Sequence, residues 1–527
     1  MARDRTPTEG DRGLNLRTSM SPHLKRGMWI LLFVATVFRL SLISDARFTG
    51  DESYFWATAR NTATFDARPI YGPSMTDSPA YHPGPLFYYL MAIPQRLGTS
   101  PLFGSFAIVV LHILSGFLLF RATLLAASPR AALIALALFT FAPWDILYGD
   151  RVWLSCLAPV WGSFILFSAL HAQSSKFSQA ALVFFTLTCP QIHMSAPIVW
   201  CAVIIILIGA PPKNWSKSAL LAGVIVTVVA YALPLYHELT HDFKNTRAIL
   251  THAGGKISAA EALKHPLQML MYTIFYGSSE IGYHMNLGYW RSFDAVKTYL
   301  SIPGLTAWFT AQGPLHGVLT CVSMLVSAAA WLVALFVASK NIVAAIRNKS
   351  KSLISTTDIM TSALVAALCA AVILLFAARK GFFPHYANLL VPMIFLPMAA
   401  AIDHLMRKFN RPSAKYFVLS LVSASVLSMA INTWKYYKTV DALNGVSITR
   451  EIVTDVLGES EPVTVKFEGF QNLFAWQMIA QTEHKKALNV KSGASILYLI
   501  KNRTVHKGGI PENGKLYGQV LVVRTKR

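Results

Sequence analysis

Residues 28–56 of the chain read MWILLFVATVFRLSLISDARFTGDESYFW. An apolar run from Met28 to Ile43 is followed, after a short polar stretch, by the adjacent carboxylates Asp51 and Glu52. The run predicts a first membrane span near 27–44, since an apolar helix of roughly 20 residues crosses a bilayer. The two acids therefore lie just outside the first span, either as an ordinary solvated loop or as a group that takes a proton from a substrate.

The composition is that of a polytopic membrane protein. The chain has 527 residues, 54% of them hydrophobic, and a mean hydropathy of +0.45, whereas soluble domains have a lower apolar share. We predict an α-helical bundle of about eleven transmembrane helices. The predicted spans lie near 27–44, 101–126, 130–147, 152–171, 178–194, 196–210, 217–236, 315–338, 357–378, 386–403 and 415–433.

The net charge of +22 is explained by membrane topology, so nucleic acid is not expected as a partner. Basic residues gather in three short loops that fall on one side with the polar segment 1–26, and this side is predicted to be the cytoplasm. The N-terminus is then cytoplasmic, in a plasma (inner) membrane, and the C-terminus is external or periplasmic. The loop cations are Lys213, Lys217, Lys340, Arg347, Lys349, Lys351, Arg407, Lys408, Arg411 and Lys415.

This topology divides the chain into a cytoplasmic tail (1–26), a transmembrane domain (27–433) and an external C-terminal domain (434–527). The external loops are 45–100 and 237–314, and the first contains an aromatic segment after Pro85 that predicts an interfacial helix. In the second, Ser258 and Glu261 form a capping-box pattern before an apolar run through Phe275. The tail alternates β-like runs with turn signals, which indicates a small α/β domain.

No cofactor is predicted. All five cysteines lie in apolar segments, without a Cys-x-x-Cys spacing, which favours small buried side chains over disulfides. A divalent metal between separated carboxylates is possible in principle, but no cluster of ligands supports one.

Two further charged segments lie on the predicted external side. Asp150 and Arg151 occupy a very short turn between two spans, at about the depth of Asp51. They are either a second reactive pair or a charged turn with a snorkelling arginine. Arg39, inside the first span, must face protein or water or snorkel outward past Asp45, and snorkelling is the more economical expectation.

The third segment carries cations on the side that the positive-inside rule disfavours. Arg379 and Lys380 precede His385 and Tyr386 at the start of the tenth predicted span. They suit either an ordinary lipid head group or a phosphate bound by charge-assisted hydrogen bonds. His82, in the first external loop, is a weaker candidate, since a lone histidine near a span is more often a packing residue.

These segments together resemble the GT-C membrane glycosyltransferases, the superfamily of protein O-mannosyltransferases and the bacterial aminoarabinose transferase. The similarity covers roughly residues 25–405 and leaves out the tail. Its pieces are Phe38-Arg39-Leu40, the run from Asp51 to Arg60, the His82-Pro-Gly-Pro segment, Asp150-Arg151 and the run from Pro384 to Pro392.

The resemblance implies a GT-C fold and an inverting transfer of a sugar from a polyprenyl-phosphate donor to a glycan, lipid or protein acceptor at the outer face. Asp51 would face the acceptor hydroxyl with Glu52 in support, and Asp150 would be the second acid. Arg151, His82, Arg379, Lys380, His385 and Tyr386 would bind substrate or phosphate.

Three alternatives remain open from the residues. A polymerase or ligase of lipid-linked glycans would use the same groups. A transporter or flippase would place ionisable residues near the midplane, often in repeated halves, whereas this sequence puts its acids at one edge. A scaffold would leave the charged clusters without a role.

Overall fold

The computed structural model describes residues 20–75, 78–252, 258, 265–280, 303, 306, 313–377, 388–439, 445–467, 473–490, 496–502, 514–517 and 520–526. These residues are mostly helical. The helices are α1 Pro22–Leu40, α2 Gly50–Ala63, α3 Leu86–Gln95, α4 Pro101–Ala126, α5 Pro129–Phe141, α6 Pro143–Tyr148, α7 Ala158–His171, α8 Lys176–Ile192, α9 Ala196–Gly209, α10 Lys217–Thr240, α11 Lys244–His252, α12 His265–Tyr276, α13 Pro314–Arg347, α14 Thr356–Ala377, α15 Val391–Lys408, α16 Pro412–Thr439, α17 Val446–Leu457 and α18 Leu473–Glu483.

Within these ranges, eight helices have both the length and the hydropathy that a membrane crossing requires, namely α1, α4, α7, α10, α13, α14, α15 and α16. The shorter α5 and α9 are also apolar. Each predicted span contains one of the helices α1, α4, α5, α7–α10 or α13–α16, because a chain in lipid must bond its own backbone groups. The predicted total of eleven crossings is not confirmed.

The domain boundaries predicted at 26 and 433 fall inside helices. Helix α1 begins at Pro22, where the hydroxyl of Ser21 accepts a hydrogen bond from the backbone N–H of Leu24. Helix α16 continues to Thr439. The predicted capping box at Ser258 and Glu261 lies largely outside the described residues, but a helix, α12, does run to Tyr276.

Helices α7 and α15 form the centre of the bundle, since 83% and 89% of the residues in their most apolar stretches are buried. Helix α15 contacts α4, α5, α7, α13 and α14, so it is surrounded on all sides, as a helix that is apolar all round requires. The α2 end of the bundle, where α1 ends and α2 begins, carries the charged segments discussed below.

The tail forms a four-stranded sheet in the order β1-β2-β4-β3, with β1 Val463–Phe467, β2 Ile496–Asn502, β3 Gly514–Tyr517 and β4 Val520–Lys526. Strands β1 and β2 are parallel, and the other pairs are antiparallel. The tail docks at the α2 end: Arg47 forms a β-bridge with Gly445, and Lys438 pairs with Asp45. The first loop and the tail therefore lie at the same end of the bundle.

Candidate active site

Helix α2 begins with a capping box formed by Thr49 and Glu52, which occupies one of the two adjacent carboxylates. The Oε2 atom of Glu52 accepts hydrogen bonds from the backbone N–H of Thr49 at 3.1 Å and from its hydroxyl at 2.6 Å. Glu52 is only 4% exposed, and Arg47 Nε lies 4.0 Å from its Oε1 atom. Glu52 therefore holds the start of the helix and is not available to a substrate.

Asp51 lies one position earlier in the first turn and is exposed. Partial burial of the carboxyl and the neighbouring Glu52 carboxylate raise the pKa of Asp51, against an opposing effect of Arg47. A carboxylate with a raised pKa is a stronger base. The predicted pair thus separates into one anchored and one accessible carboxylate.

The turn 149–153 brings the second predicted pair close to α2. Trp56 of α2 and Val152 of the turn both pack against Gly104 of α4, where an added Cβ would lie 2.6 Å from Trp56 Cζ3 and 2.7 Å from Val152 Cγ2. Asp150 and Arg151 on this turn are 2% and 6% exposed. Both side chains are therefore enclosed by protein.

Helix α2, which carries Asp51 and Glu52, and the turn that carries Asp150 and Arg151 pack on the same residue of α4, Gly104. The two segments therefore lie side by side, with Glu52, Asp150 and Arg151 buried and Asp51 exposed. We refer to these four residues as the acidic cluster.

A buried ionic network, which sequence reasoning missed, lies beneath the turn. Arg39 donates to Asp145 Oδ2 at 2.5 Å, and His112 Nδ1 lies 3.1 Å from Asp145 Oδ1. Arg39 is 2% exposed, so the expected snorkelling is wrong. The available signal was that all three residues lie in or beside apolar segments, where an ionisable side chain needs a partner.

Aromatic rings line the same region. Tyr148 stacks on Trp144 and on Trp153, with centroid distances of 6.1 and 5.7 Å. Trp144 also meets the edge of Tyr276 at 5.3 Å. Trp144, Tyr148 and Tyr276 are buried, so these rings pack the interior next to the turn.

The His82 segment is fixed to a different part of the bundle. The Oε1 atom of Gln191, on α8, accepts a hydrogen bond from the backbone N–H of Leu86 at 3.2 Å. A Cβ on Gly84 would lie 2.0 Å from that same Oε1 atom, so the glycine of His82-Pro-Gly-Pro makes room for Gln191. Burial lowers the pKa of His82 to about 4. His82 is thus neutral at pH 7.

The same loop is joined to the end of α10. Tyr71 donates a hydrogen bond to Glu238, and the side chain of Asn245 bonds both the N–H and the carbonyl of Tyr81, at 2.7 and 3.1 Å. The loop that carries His82 is therefore fastened to the segment that follows α10.

The sequence predictions omitted a histidine pair with the spacing of the zinc motif H-E-x-x-H, His237 and His241. In the structure their rings stack 3.9 Å apart, and Glu238 between them accepts from Tyr71 and from the backbone of Asn245 and Thr246. The part of the chain that the structure describes contains no group of three or more side chains able to hold a metal ion.

Four predicted phosphate contacts lie outside the described residues: Arg379, Lys380, His385 and Tyr386. The segment re-enters the structure at Asn388, whose side chain accepts from the hydroxyl of Tyr276 at 3.4 Å. Tyr276 in turn packs against Trp144. Asn388 is therefore connected to Trp144 through the ring of Tyr276.

Comparison with known proteins identifies the fold. No protein-family model matches the sequence, and no curated protein matches it either. Among solved structures, ArnT from Cupriavidus metallidurans, bound to undecaprenyl phosphate or in the apo state, is similar with a TM-score of 0.50 and 12% identity, over 94% of this chain and 97% of that chain. The oligosaccharyltransferase of Archaeoglobus fulgidus in its apo form matches with a TM-score of 0.45 and 12% identity, over 91% and 70% of the two chains.

Proposed function

We propose that this GT-C-fold membrane protein is an inverting glycosyltransferase that moves a sugar from a polyprenyl-phosphate donor to an acceptor hydroxyl. A shared fold does not assign a reaction, so the proposal rests on the site. The observation that carries it is the packing of α2 and the turn 149–153 on Gly104, which unites two acidic segments that are distant in sequence.

Asp51 is the group with the properties of a general base. It is exposed while the adjacent Glu52 is capped, and its pKa is raised above that of an ordinary aspartate. In the proposed reaction Asp51 takes the proton of the acceptor hydroxyl as its oxygen attacks the anomeric carbon. The bond to the lipid phosphate breaks on the opposite face, which inverts the configuration in a single displacement.

The departing polyprenyl phosphate needs positive charge to stabilise it. Arg151 supplies a cation from within the acidic cluster, and Arg379, Lys380 and His385 are proposed to join it from the segment before Asn388. Tyr386 and His82 would act as neutral hydrogen-bonding partners. Asp150 would orient Arg151 or the sugar, and Glu52 would support Asp51 by fixing the first turn of α2.

ArnT was solved bound to undecaprenyl phosphate, and we propose a lipid-linked donor of the same chemical class here. The acceptor would be a glycan, a lipid or a protein. The loop cations support an inner-membrane location with the acidic cluster on the periplasmic side. The contact between Arg47 and Gly445 supports a C-terminal domain on that same side.

Two alternatives use the same residues differently. A polymerase or ligase of lipid-linked glycans would give products longer by many sugars, and product mass distinguishes it from a transferase of one sugar. A transporter is less well supported, because Asp51, Glu52 and Asp150 lie between predicted spans, at one edge, instead of near the midplane.

The test is a reconstituted assay with the full-length chain, a radiolabelled polyprenyl-phosphate sugar and membrane extract as acceptor. Transfer of label by the wild-type protein, lost in Asp51→Asn at equal protein level, supports the proposal. Label that moves across the bilayer without transfer would instead identify a transporter.

A further inference from the structure

A single histidine connects the two ends of the turn that carries Asp150 and Arg151. His112, on α4, is fully buried. Its Nδ1 atom lies 3.1 and 3.2 Å from the two carboxylate oxygens of Asp145, which precedes the turn. Its Nε2 atom lies 2.7 Å from the backbone carbonyl of Cys156, which follows the turn.

We propose that His112 is a positioning residue that fixes the backbone of the turn 149–153, and so the places of Asp150 and Arg151. The consequence for sugar transfer rests on the function proposed above. The contact of His112 with the residues before and after the turn, called the clamp below, is a property of the fold and is tested without any substrate.

The hydrogen-bond chemistry makes the clamp two-sided. The Asp145 carboxylate and the Cys156 carbonyl are both hydrogen-bond acceptors, and each lies within hydrogen-bond distance of a different ring nitrogen of His112. Arg39 donates to the same Asp145 carboxylate at 2.5 Å, which keeps that group in the role of acceptor. The ring of His112 is therefore held between one acceptor before the turn and one after it.

Gly149 packs directly against this network and immediately precedes Asp150. An added Cβ at Gly149 would lie 2.7 Å from Arg39 Nη1 and 2.8 Å from His112 Nδ1. The backbone of the turn thus rests directly on the side chains of Arg39 and His112, and no side chain larger than hydrogen fits between them. A shift of the imidazole would displace the backbone of Gly149 and, with it, that of Asp150, which is one peptide bond away.

Other described hydrogen bonds each hold one part of the turn or of its flanks. The hydroxyl of Tyr437, on α16, donates to the carbonyl of Ile146 at 3.2 Å. The backbone N–H of Trp153 donates to the carbonyl of Arg151 at 2.8 Å. Among the described contacts, the imidazole of His112 is the side chain that bonds both before and after the turn.

The experiment measures hydrogen–deuterium exchange of the full-length chain in detergent, for the wild type, His112→Ala, His112→Gln and a control, Ser115→Ala. Ser115 is a buried residue on the same helix, and its hydroxyl bonds the carbonyl of Pro159 at 3.3 Å, away from the turn. Gln retains an amide that can donate to one side of the turn but not to both.

We expect amides of 149–153 to exchange roughly tenfold faster in His112→Ala, with an intermediate rate in His112→Gln and no change in Ser115→Ala. Unchanged exchange in a folded His112→Ala or His112→Gln protein would overturn the clamp. Faster exchange spread evenly over the bundle in both His112 variants, and not confined to the turn, would also overturn it.

Turnover separates the clamp from the proposed function. If the wild type transfers sugar, His112→Ala should lower turnover at least tenfold, and His112→Gln should restore part of it. Normal turnover with a loosened turn would overturn the positioning role and leave the transferase assignment intact. Local loosening in a chain that transfers no sugar would support the clamp and refute the transferase assignment.

Discussion

Replacing Asp51 with asparagine is the sharpest test of the site, because Asp51 takes no part in the helix cap, and its proposed chemical role can be tested without disturbing the fold. Asp51 is exposed in the first turn of α2, while the cap of that helix depends on Glu52 and Thr49. Asn is nearly isosteric with Asp but cannot accept a proton at neutral pH. The substitution therefore removes the proposed base and keeps the cap.

The two expected free energies differ widely. Loss of a general base lowers rates by about 10²–10⁴, which is roughly 3–5 kcal/mol of transition-state stabilisation. Loss of one negative charge near a helix N-terminus costs about 0.3–1 kcal/mol of stability. Activity should fall steeply, while the unfolding midpoint changes little.

The assay follows label transfer from a polyprenyl-phosphate sugar in liposomes, with thermal unfolding of the same samples. Asp66→Asn is the matched control, since Asp66 is an exposed acid just beyond the end of α2 whose carboxylate accepts from the Thr64 hydroxyl. It should keep full activity. Wild-type turnover in Asp51→Asn would refute Asp51 as the base, and an equal loss in Asp66→Asn would show that the effect is not specific.

Burial and Glu52 raise the pKa of Asp51 while Arg47 lowers it, so the acidic limb of the kcat/KM profile should lie above the usual aspartate range, and Arg47→Ala should move it to still higher pH. A limb that moves to lower pH would contradict this. The pKa of His82 is about 4 in the folded chain against 6.5 for a free side chain; its contribution is complete above pH 6.5 and is lost as pH falls toward 4. His82→Gln should therefore remove up to about 3 kcal/mol of acid sensitivity in unfolding experiments, and an unaltered pH dependence would argue against a buried neutral ring. Gly84→Ala should cost about 1–3 kcal/mol through its collision with Gln191, and the shorter Gln191→Ser should recover part of that loss in a double-mutant cycle; strict additivity would exclude the collision.

The membrane architecture could be predicted from the sequence because lipid permits few backbone conformations. A long apolar segment in a bilayer has to satisfy its own N–H and C=O groups, and a helix is the local way to do so. Each predicted span accordingly contains a helix. The bounds were less accurate: the span predicted at 130–147 is divided between α5 and α6 at Pro143.

The role of Glu52 was also within reach of the sequence. Thr49 and Glu52 have the spacing of a capping box, and that pattern predicts a helix starting at residue 50 with Glu52 bound to its own backbone. Sequence reasoning treated Asp51 and Glu52 as one pair and missed this signal.

The Arg39–Asp145–His112 network was decided only by tertiary structure. Arg39 and Asp145 are 106 residues apart, and His112 and Asp145 are 33 apart. No local period relates such positions, so nothing in the sequence indicates which buried charges will meet. Snorkelling was the economical prediction for Arg39 alone, and it failed because α6 supplies a carboxylate that costs less to reach than the membrane surface.

The sequence by itself determined that the chain is a helical membrane protein and that acidic residues lie beyond its first span, because hydrophobicity and charge act locally. It could not determine which acid is accessible. Successive residues on a helix point about 100° apart, so the start of α2 at Gly50 directs Glu52 inward to its cap and leaves Asp51 outside. The packing of Trp56 and Val152 on Gly104 then brings Asp51 toward the buried turn of Asp150 and Arg151, which only the folded chain can do.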